Sequence, residues 1–231
     1  MTKLHKQKIN RLFYGKWPYK IECFQAKSSL IVRLGPEKAR LWATDHPDYR
    51  GWWNVSRPQK QEVLEFLDKV EPFLKEELQI RTEGAHFNIF CKHIVLRDRI
   101  IQELEPWVRG VHGPNSNEEL EYMLANGSKK VVCNKLPHEM YRYKIHFKTN
   151  MPVDTRAKFL KWSSNYLSQI SISDATHQWL AGTHQWAQMP FMYVEDGKTL
   201  AMFSLFLGDN LRIIEEYVLR SSINTSLDQE I

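Results

Sequence analysis

Hydrophobic residues along this chain follow strand-like and helix-like spacings in turn, and the first half predicts the order β, α, β, α. A glycine-proline pair closes the second strand-like stretch as a turn signal. The first helical pattern has Ser56 as a potential N-cap and an expected kink at Pro72. The predicted strands are 19–24, 29–35 and 78–91, and the predicted helices are 59–78 and 93–108.

The second half repeats this alternation after a turn-rich stretch at 110–117. Asn117 and Asp154 are suitable N-caps for the helices that follow them. The Asp196-Gly197 pair joins two alternating apolar runs, which predicts a β-hairpin. The predicted helices are 118–126, 154–170 and 210–222, and the predicted strands are 140–150 and the two arms of this hairpin.

This element order predicts the fold class. A strand, a helix, a hairpin and a helix make up most of the split β-α-β unit of the ferredoxin-like fold. We therefore expect an α+β protein with two ferredoxin-like units in tandem, divided near 129–138. The predicted parts are a basic N-terminal arm at 1–18, a first domain at 19–130 and a second domain at 138–222.

The positive charge of the chain is concentrated at its N-terminus. Ten Lys and Arg residues and two Glu residues among the first 40 give a local balance of +8, whereas the whole chain carries +5. Aromatic residues lie between these cations. Because cations neutralise phosphates and aromatic rings stack on unpaired bases, the pattern favours single-stranded nucleic acid as the partner. The alternative is that this arm folds over its own domain, with its aromatic residues in the core.

Composition disfavours several other classes of protein. No apolar run in the sequence approaches the roughly 20 residues that cross a bilayer, and charges occupy the place of a signal peptide's apolar stretch. We therefore expect an intracellular protein, cytoplasmic or in a host nucleus, with no membrane partner. The widely spaced cysteines indicate neither a disulfide framework nor a zinc ribbon. The sequence contains no phosphate-binding loop or nucleophile elbow, which disfavours a nucleotide-hydrolysing motor.

The strand predicted at 140–150 has one basic and one apolar face. Its basic positions are Arg142, Lys144, His146 and Lys148, and its apolar positions are Tyr141, Tyr143, Ile145 and Phe147. A basic sheet face suits phosphate contact. On the sequence alone, this face lacks the aromatic residues that RNA-recognition sheets expose for stacking.

A short repeat, Thr-His-Gln-Trp, occurs at 176–179 and again at 183–186. If the segment were one helix, His177 and His184 would share a face, but Gly182 weakens that prediction. Two histidines with one nearby acid are too few for a metal site. Packing is the favoured role of this repeat, with stacking or partner binding as the alternative.

A second candidate chemistry comes from three residues. His86 and Asn88 lie two positions apart in a predicted strand, and Tyr122 follows in a predicted helix. This order resembles the motifs of Rep-type HUH rolling-circle initiators over roughly 19–130. The resemblance implies a ferredoxin-like fold and a nicking endonuclease, in which Tyr122 is the nucleophile and His86 and Asn88 hold a divalent metal, Mg²⁺ or Mn²⁺. Asn88 stands where these families have histidine, and Ala125 where they often have lysine.

These observations predict a nucleic-acid-binding protein of genome replication or processing, in a virus or a mobile element, that binds single-stranded or opened nucleic acid without a cofactor. The viral or mobile-element setting follows from the resemblance alone. Trp17 and Tyr19 are the stacking candidates. The predicted phosphate contacts are Lys3, Lys6, Lys8, Arg11, Lys16, Lys20, Arg142, Lys144 and Lys148.

Two other functions remain open. One is the metal-dependent nicking endonuclease with Tyr122 as its nucleophile. The other is an assembly protein whose N-terminal arm and exposed tryptophans bind a protein partner or a second copy of the chain.

Overall fold

The computed structural model describes residues 5–46, 56–184 and 189–225. The chain divides into two compact units, Met1–Leu120 and Glu121–Ile231. This division lies earlier in the chain than the expected boundary near 129–138. Lys3 and Trp186, the last residue of the second Thr-His-Gln-Trp copy, lie outside the described residues.

The first unit consists of one five-stranded sheet and helices that pack on one of its faces. Its strands are β1 (His5–Lys8), β2 (Tyr19–Phe24), β3 (Leu78–Glu83), β4 (His86–Cys91) and β5 (Val108–Gly113). Its helices are α1 (Ser28–Leu34), α2 (Pro36–Ala43), α3 (Arg57–Val70) and α4 (Ile94–Glu103), and α5 (Asn117–Asn126) crosses the division between the units.

The first sheet has the strand order β1-β5-β2-β4-β3. The pair β1 and β5 is parallel, and the other pairs are antiparallel. Residues at alternate positions of the strands, such as Ile21 and Ile89, face a core that also contains Phe66, Leu67 and Ile100 from the helices. The opposite face carries the intervening residues and is called the open face below.

The second unit also contains one five-stranded sheet. Its strands are β6 (Lys130–Cys133), β7 (Tyr143–Phe147), β8 (Ile170–Ile172), β9 (Phe191–Val194) and β10 (Leu211–Leu219), and its helices are α6 (Val153–Ser163), α7 (Asp174–Leu180), α8 (Gly197–Leu207) and α9 (Arg220–Thr225). Alternate strand residues such as Ile145 and Met192 face a core with Phe159, Trp179 and Phe203.

The two sheets have the same topology. The second has the order β6-β10-β7-β9-β8, in which β6 is parallel to β10 and the other pairs are antiparallel. In each unit an extra first strand therefore pairs with the last one, and the remaining four strands follow the spatial order fourth, first, third, second. The chain as a whole is α+β, as predicted.

Several local predictions are confirmed. Helix α3 begins after Ser56, which forms a capping box with Gln59, and the chain continues past Pro72 as a 3₁₀ turn. Helix α4 and strands β2 and β7 also lie where the hydrophobic spacing placed them. The segment predicted as one strand at 78–91 is the hairpin β3-β4, with Gly84 at a φ of 62° in its turn.

The hairpin predicted at Asp196-Gly197 is wrong. The Asp196 carboxylate accepts hydrogen bonds from the backbone N–H of Lys198 at 2.7 Å and of Thr199 at 2.9 Å, so it caps the N-terminus of α8. An Asp-Gly pair suits both a turn and a helix start, and local sequence does not separate them. The cap also lowers the pKa of Asp196 through its hydrogen bond from Thr199.

The helix predicted at 210–222 is also wrong, because most of this segment is β10. This strand pairs with β6 on one side and β7 on the other, and such pairing over long sequence distances overrides local helical spacing. The opposite error occurs at 28–34, which forms α1 because Leu30 and Ile31 pack into the first core.

Three smaller predictions also need correction. The turn-rich stretch at 110–117 begins inside β5. Ser116, not Asn117, caps α5, because its hydroxyl accepts a hydrogen bond from the Glu119 N–H at 3.3 Å. Asp154 lies in the first turn of α6, whose N-cap position is Pro152.

Candidate nucleic-acid interface

Residues 9–17 cross the open face of the first sheet as a tight turn. The Gly15 N–H donates a hydrogen bond to the Leu12 carbonyl at 3.3 Å, and the Trp17 N–H donates to the Phe13 carbonyl at 2.9 Å. Gly15 has a φ of 68°, which glycine adopts without a steric penalty. The predicted N-terminal arm is therefore an integral part of the first unit.

Two aromatic rings of this turn pack on the sheet. The ring centroids of Phe13 and Tyr14 lie 5.4 Å and 5.1 Å from that of Phe90, which belongs to the open face of β4. These contacts fix the turn against the sheet. This segment therefore matches the alternative prediction, in which the N-terminal arm folds over its own domain.

Both predicted stacking residues are buried, which corrects that part of the prediction. Trp17 is 4% exposed, and its indole Nε1–H donates to the Gln79 side-chain oxygen at 2.8 Å. Tyr19 is 3% exposed and lies in the first core, where burial raises the pKa of its hydroxyl. Both rings pack within the first unit, because the turn and strand β2 hold them against the sheet and the helices.

Tyr14 is the exposed aromatic residue of the turn. It is 51% exposed, and the Arg81 guanidinium lies 4.0 Å from its ring centroid. A cation above an aromatic ring holds both groups in place. The sequence contained Tyr14 among the N-terminal aromatic residues but gave no reason to separate it from Trp17.

Beside Tyr14 the surface forms a shallow depression of about 450 Å³. Lys8 and Arg11 are exposed around it, and Lys6 is exposed on the same strand, β1. The depression therefore brings cations and an exposed aromatic ring together. Its lining residues are Gln7, Lys8, Ile9, Asn10, Arg11, Leu12, Phe13, Tyr14, Lys20 and His112.

Two of the predicted phosphate contacts are occupied by acidic partners. The Lys16 ammonium lies 3.2 Å from the Glu77 carboxylate, and the Lys20 ammonium lies 2.7 Å from the Glu22 carboxylate. The Lys20 side chain is only 15% exposed, so its charge is largely committed to Glu22. Lys6, Lys8 and Arg11 of the predicted set are exposed in this region.

Glu22 lies at the centre of the first open face. Its carboxylate oxygen is 3.2 Å from His112 Nε2. Burial raises the pKa of Glu22, but hydrogen bonds from Lys20 and His112 outweigh it and leave that pKa below its usual value. Gly110 makes room for this cluster, because a Cβ there would lie 2.8 Å from the Glu22 carboxylate.

The three residues of the predicted nicking site do not lie in one unit. His86 and Asn88 belong to β4 of the first unit, and Tyr122 belongs to α5 in the second. His86 is exposed and packs against Phe24 at 6.0 Å between ring centroids. Tyr122 is half-buried, with the Lys130 ammonium 6.0 Å from its ring centroid.

Asn88 has an unusual environment. Its side chain is 1% exposed, and among the described residues neither its carboxamide oxygen nor its nitrogen has a hydrogen-bond partner. Across 5–46, 56–184 and 189–225, no three His, Cys, Asp or Glu side chains cluster closely enough to hold a metal ion. One imidazole and one carboxamide are an incomplete donor set for Mg²⁺ or Mn²⁺.

The second unit contains the same turn. The Glu139 N–H donates to the Leu136 carbonyl at 2.9 Å, and the Tyr141 N–H donates to the Pro137 carbonyl at 3.0 Å. These bonds match those of the first turn position by position, with residue numbers that differ by 124 from Leu12 and Leu136 onward. His138 has a φ of 49° where Tyr14 has 53°.

The second turn also packs on its sheet. The rings of His138 and Tyr141 lie 5.5 Å and 6.0 Å from that of Tyr193, which occupies the position of Phe90 in the first sheet. The Tyr141 hydroxyl donates to the Ile170 carbonyl on the outer strand at 3.2 Å. The bond from Trp17 to Gln79 likewise reaches the outer strand of the first sheet.

The open face of the second sheet carries aromatic residues that the sequence did not assign to it. Phe191 and Tyr193 of β9 lie beside Lys144 and His146 of β7, because the register pairs Lys144 with Tyr193 and His146 with Phe191. All four side chains are half-buried. The expectation that this basic face lacks aromatic residues is wrong, because the missing rings come from the neighbouring strand.

Lys144 is part of this aromatic face. Its ammonium lies 3.9 Å from the Phe191 ring centroid and 5.7 Å from that of Tyr193. Arg142, by contrast, is bound to Glu216 through two nitrogens at 3.0 Å and 3.2 Å. Lys148 is exposed just beyond the end of β7.

The acid and the imidazole of the two open faces exchange places. In the second sheet the Glu215 carboxylate of β10 lies 3.4 Å from His146 Nε2 of β7. Glu215 occupies the position of His112, and His146 occupies the position of Glu22, as the registers of Lys20 and Lys144 show. The same contact between a carboxylate and an imidazole is thus built with its partners reversed.

Cys91 and the first Thr-His-Gln-Trp copy have structural roles. Burial raises the pKa of the Cys91 thiol to about 12, which makes it a poor nucleophile at neutral pH. The first Thr-His-Gln-Trp copy lies in α7, where Trp179 is buried in the second core. That helix ends at Leu180, and Gly182 has a φ of 76°, so one helix through both copies is excluded.

One sequence signal for this duplication was present. The tripeptide Tyr-Lys-Ile occurs at 19–21 and again at 143–145, at the start of the first central strand of each unit. In each unit, the lysine of this tripeptide lies on the open face opposite an aromatic residue. The spacing of 124 residues between the two tripeptides equals the spacing between Tyr14 and His138 of the two turns.

Comparisons with known proteins do not place the chain in a family. No protein-family model matches the sequence, and no curated protein or solved structure matches it. Among the helices of the described residues, none is both long and apolar enough to cross a membrane.

Proposed function

We propose that this protein binds single-stranded or locally opened nucleic acid through the depression beside Tyr14. The observation that supports this most directly is the placement of the exposed cations Lys8 and Arg11 around a half-exposed tyrosine. Phosphates would contact the cations, including Lys6, and an unpaired base would stack on Tyr14. Double-stranded nucleic acid does not offer its base faces to such a site.

We also propose that both units are ferredoxin-like. The spatial order fourth, first, third, second and the β-α-β-β-α-β connection of the first unit support this assignment. In the second unit, helix α7 stands between the second and third strands in place of a hairpin. A role in genome replication or processing, in a virus or mobile element, fits this proposal through the resemblance to Rep-type initiators.

The test measures binding of fluorescent single-stranded DNA and RNA 20-mers, and of a duplex, across a salt series. We expect tight binding of single strands that weakens with salt, and weaker duplex binding. The triple variant K6E/K8E/R11E removes three phosphate contacts, so the slope of log affinity against log salt should fall by about 2. Tyr14→Leu should weaken single-strand binding by about five-fold or more.

The control for charge is the triple variant K158E/K161E/K198E, which makes the same charge change at exposed helix positions of the second unit. Equal losses in both triple variants would mean that net charge, not the depression, carries the binding. Absence of binding at low salt would contradict the proposal. Concentration-dependent oligomers without a response to nucleic acid would favour the assembly protein.

A nicking endonuclease remains the second candidate. The observation in its favour is Asn88, a buried carboxamide without a described hydrogen-bond partner, on the same face of β4 as His86. The donor set is incomplete, and we derive no metal-dependent step. The test is a denaturing gel after incubation with single-stranded DNA and Mn²⁺, where a covalent adduct that disappears in Tyr122→Phe would support nicking.

A further inference from the structure

We propose that the second unit has its own nucleic-acid site, in which the open face of its sheet stacks unpaired bases on Phe191 and Tyr193 beside Lys144. This inference rests on the proposed function, because it concerns the same class of ligand. It adds a second base-stacking surface in the second unit, separate from Tyr14 and the cations around it.

The geometry of the two rings supports a stacking surface. Phe191 and Tyr193 lie 5.5 Å apart between centroids on one face of β9, and both are half-buried. Tyr217 of β10 extends the surface, with its ring 6.2 Å from that of Tyr193. Aromatic residues on neighbouring strands of an antiparallel sheet are the arrangement on which RNA-recognition sheets stack two or three bases.

The charges around these rings favour a nucleic acid over an apolar partner. The Lys144 ammonium lies 3.9 Å from the Phe191 ring centroid, and Lys148 is exposed where β7 ends. Glu215 of this face is buried and lies against His146. On the turn over the sheet, the exposed Glu139 carboxylate lies 3.5 Å from the Lys135 ammonium. Cations therefore lie beside the rings, where they can contact the phosphates of a bound strand.

The first unit does not offer the same surface. In its sheet the position of Phe191 is occupied by Asn88, which cannot stack, and the position of Tyr193 by Phe90. Phe90 is 2% exposed, because Phe13 and Tyr14 cover it. The first open face also carries Phe24, 41% exposed beside His86, but it offers no pair of rings at the positions of Phe191 and Tyr193.

The experiment compares a (dT)₂₀ strand with an abasic strand of equal length and charge. For F191L/Y193L we expect binding of (dT)₂₀ to weaken by about ten-fold or more. Binding of the abasic strand should be unchanged, because that strand has no bases to stack on the two rings. The variant K6E/K8E/R11E should weaken both strands alike. A (rU)₂₀ arm tells whether RNA is bound in the same way.

The matched control is Phe206→Leu, which removes a surface phenylalanine from α8, where it stacks on Trp162. It should leave both affinities unchanged. A second measurement uses a strand with 5-iodouracil, where photocrosslinks at Phe191 or Tyr193 are expected and crosslinks confined to Tyr14 would overturn the inference. Equal affinity of F191L/Y193L and wild type for (dT)₂₀ would overturn it too, while a wild type that binds no strand would overturn the proposed function itself.

Discussion

The two units differ in what they place on the same framework. The turn over the first sheet carries cations and the exposed Tyr14, and it covers Phe90 of the open face. The turn over the second sheet is poorer in exposed cations, and the sheet beneath it presents Phe191 and Tyr193. The two units share their topology and their backbone turns, but they differ in surface chemistry. Their binding properties are therefore set by the side chains at matched positions.

The largest expected effects come from the two cores. Phe66→Ala and Phe203→Ala each remove a fully buried ring, at a cost of about 3–5 kcal/mol. If the units fold independently, hydrogen exchange measured by mass spectrometry should show lost protection only in the unit that carries the substitution. Loss of protection spread evenly over both units would contradict independent folding.

A smaller effect should distinguish two matched backbone positions. Gly110→Val places a Cβ 2.8 Å from the Glu22 carboxylate and should destabilise the first unit by about 1–3 kcal/mol. At the matched position of the second sheet, Ile213 is 45% exposed, and Ile213→Val should change the free energy of unfolding by less than about 0.5 kcal/mol. Urea denaturation measures both, and equal costs would mean that Gly110 is not required by Glu22.

The reversed arrangement of carboxylate and imidazole can be tested by exchanging Glu22 and His112. His112→Glu places a second carboxylate beside Glu22 and should destabilise the first unit by roughly 1–2 kcal/mol. The double variant E22H/H112E recreates the arrangement of Glu215 and His146, so it should recover most of that loss. A double variant less stable than the sum of its single changes would refute the equivalence of the two open faces.

The smallest effect concerns acid. Burial raises the pKa of Glu216, but Lys130 and Arg142 outweigh it, so that pKa is lower in the folded state than the ordinary value of 4.5. A carboxylate whose pKa is lowered in the folded state stabilises the fold at pH values above its ordinary pKa. This stabilisation is lost as the pH falls through the folded pKa. Thermal melts between about pH 5 and pH 3 should therefore show a shallower decline for Glu216→Gln than for wild type.

In the first unit Glu22→Gln is the counterpart of this test. The pKa of Glu22 is also lowered, since Lys20 and His112 outweigh its burial. Its melting temperature should likewise depend less on pH in this acid range. An unchanged pH dependence in both variants would show that other carboxylates control acid unfolding.

Sequence patterns predicted the elements whose stability is local. Helix α3 has a cap, a proline and one apolar face, all within 15 residues of chain. Strand β10 has no such local signature, because its partners β6 and β7 lie far away in sequence. Asp196 shows the same limit, because its carboxylate fits a turn and a helix cap equally well until the rest of the chain is in place.

The candidate sites were predictable to a similar degree. The sequence identified the N-terminal cations and aromatic residues, but burial decides which rings are accessible, and it separates Tyr14 from Trp17 and Tyr19. The alternation in Phe191–Val194 places Phe191 and Tyr193 on one face, yet only the pairing of β9 with β7 brings that face beside Lys144. Sites assembled across strands require the register, which alternation alone does not provide.

The parallel pairing of each unit's first strand with its last one has a consequence for protein synthesis. His5 pairs with Gly110, and Lys130 pairs with Glu216. During synthesis, the first strand of each unit therefore has no partner until nearly the whole unit has left the ribosome. Until the last strand is made, the strand that precedes the turn is not paired into the sheet. Each unit therefore closes last at the strand that was made first, and a nascent chain stopped before β5 or β10 would leave that strand without its place in the sheet.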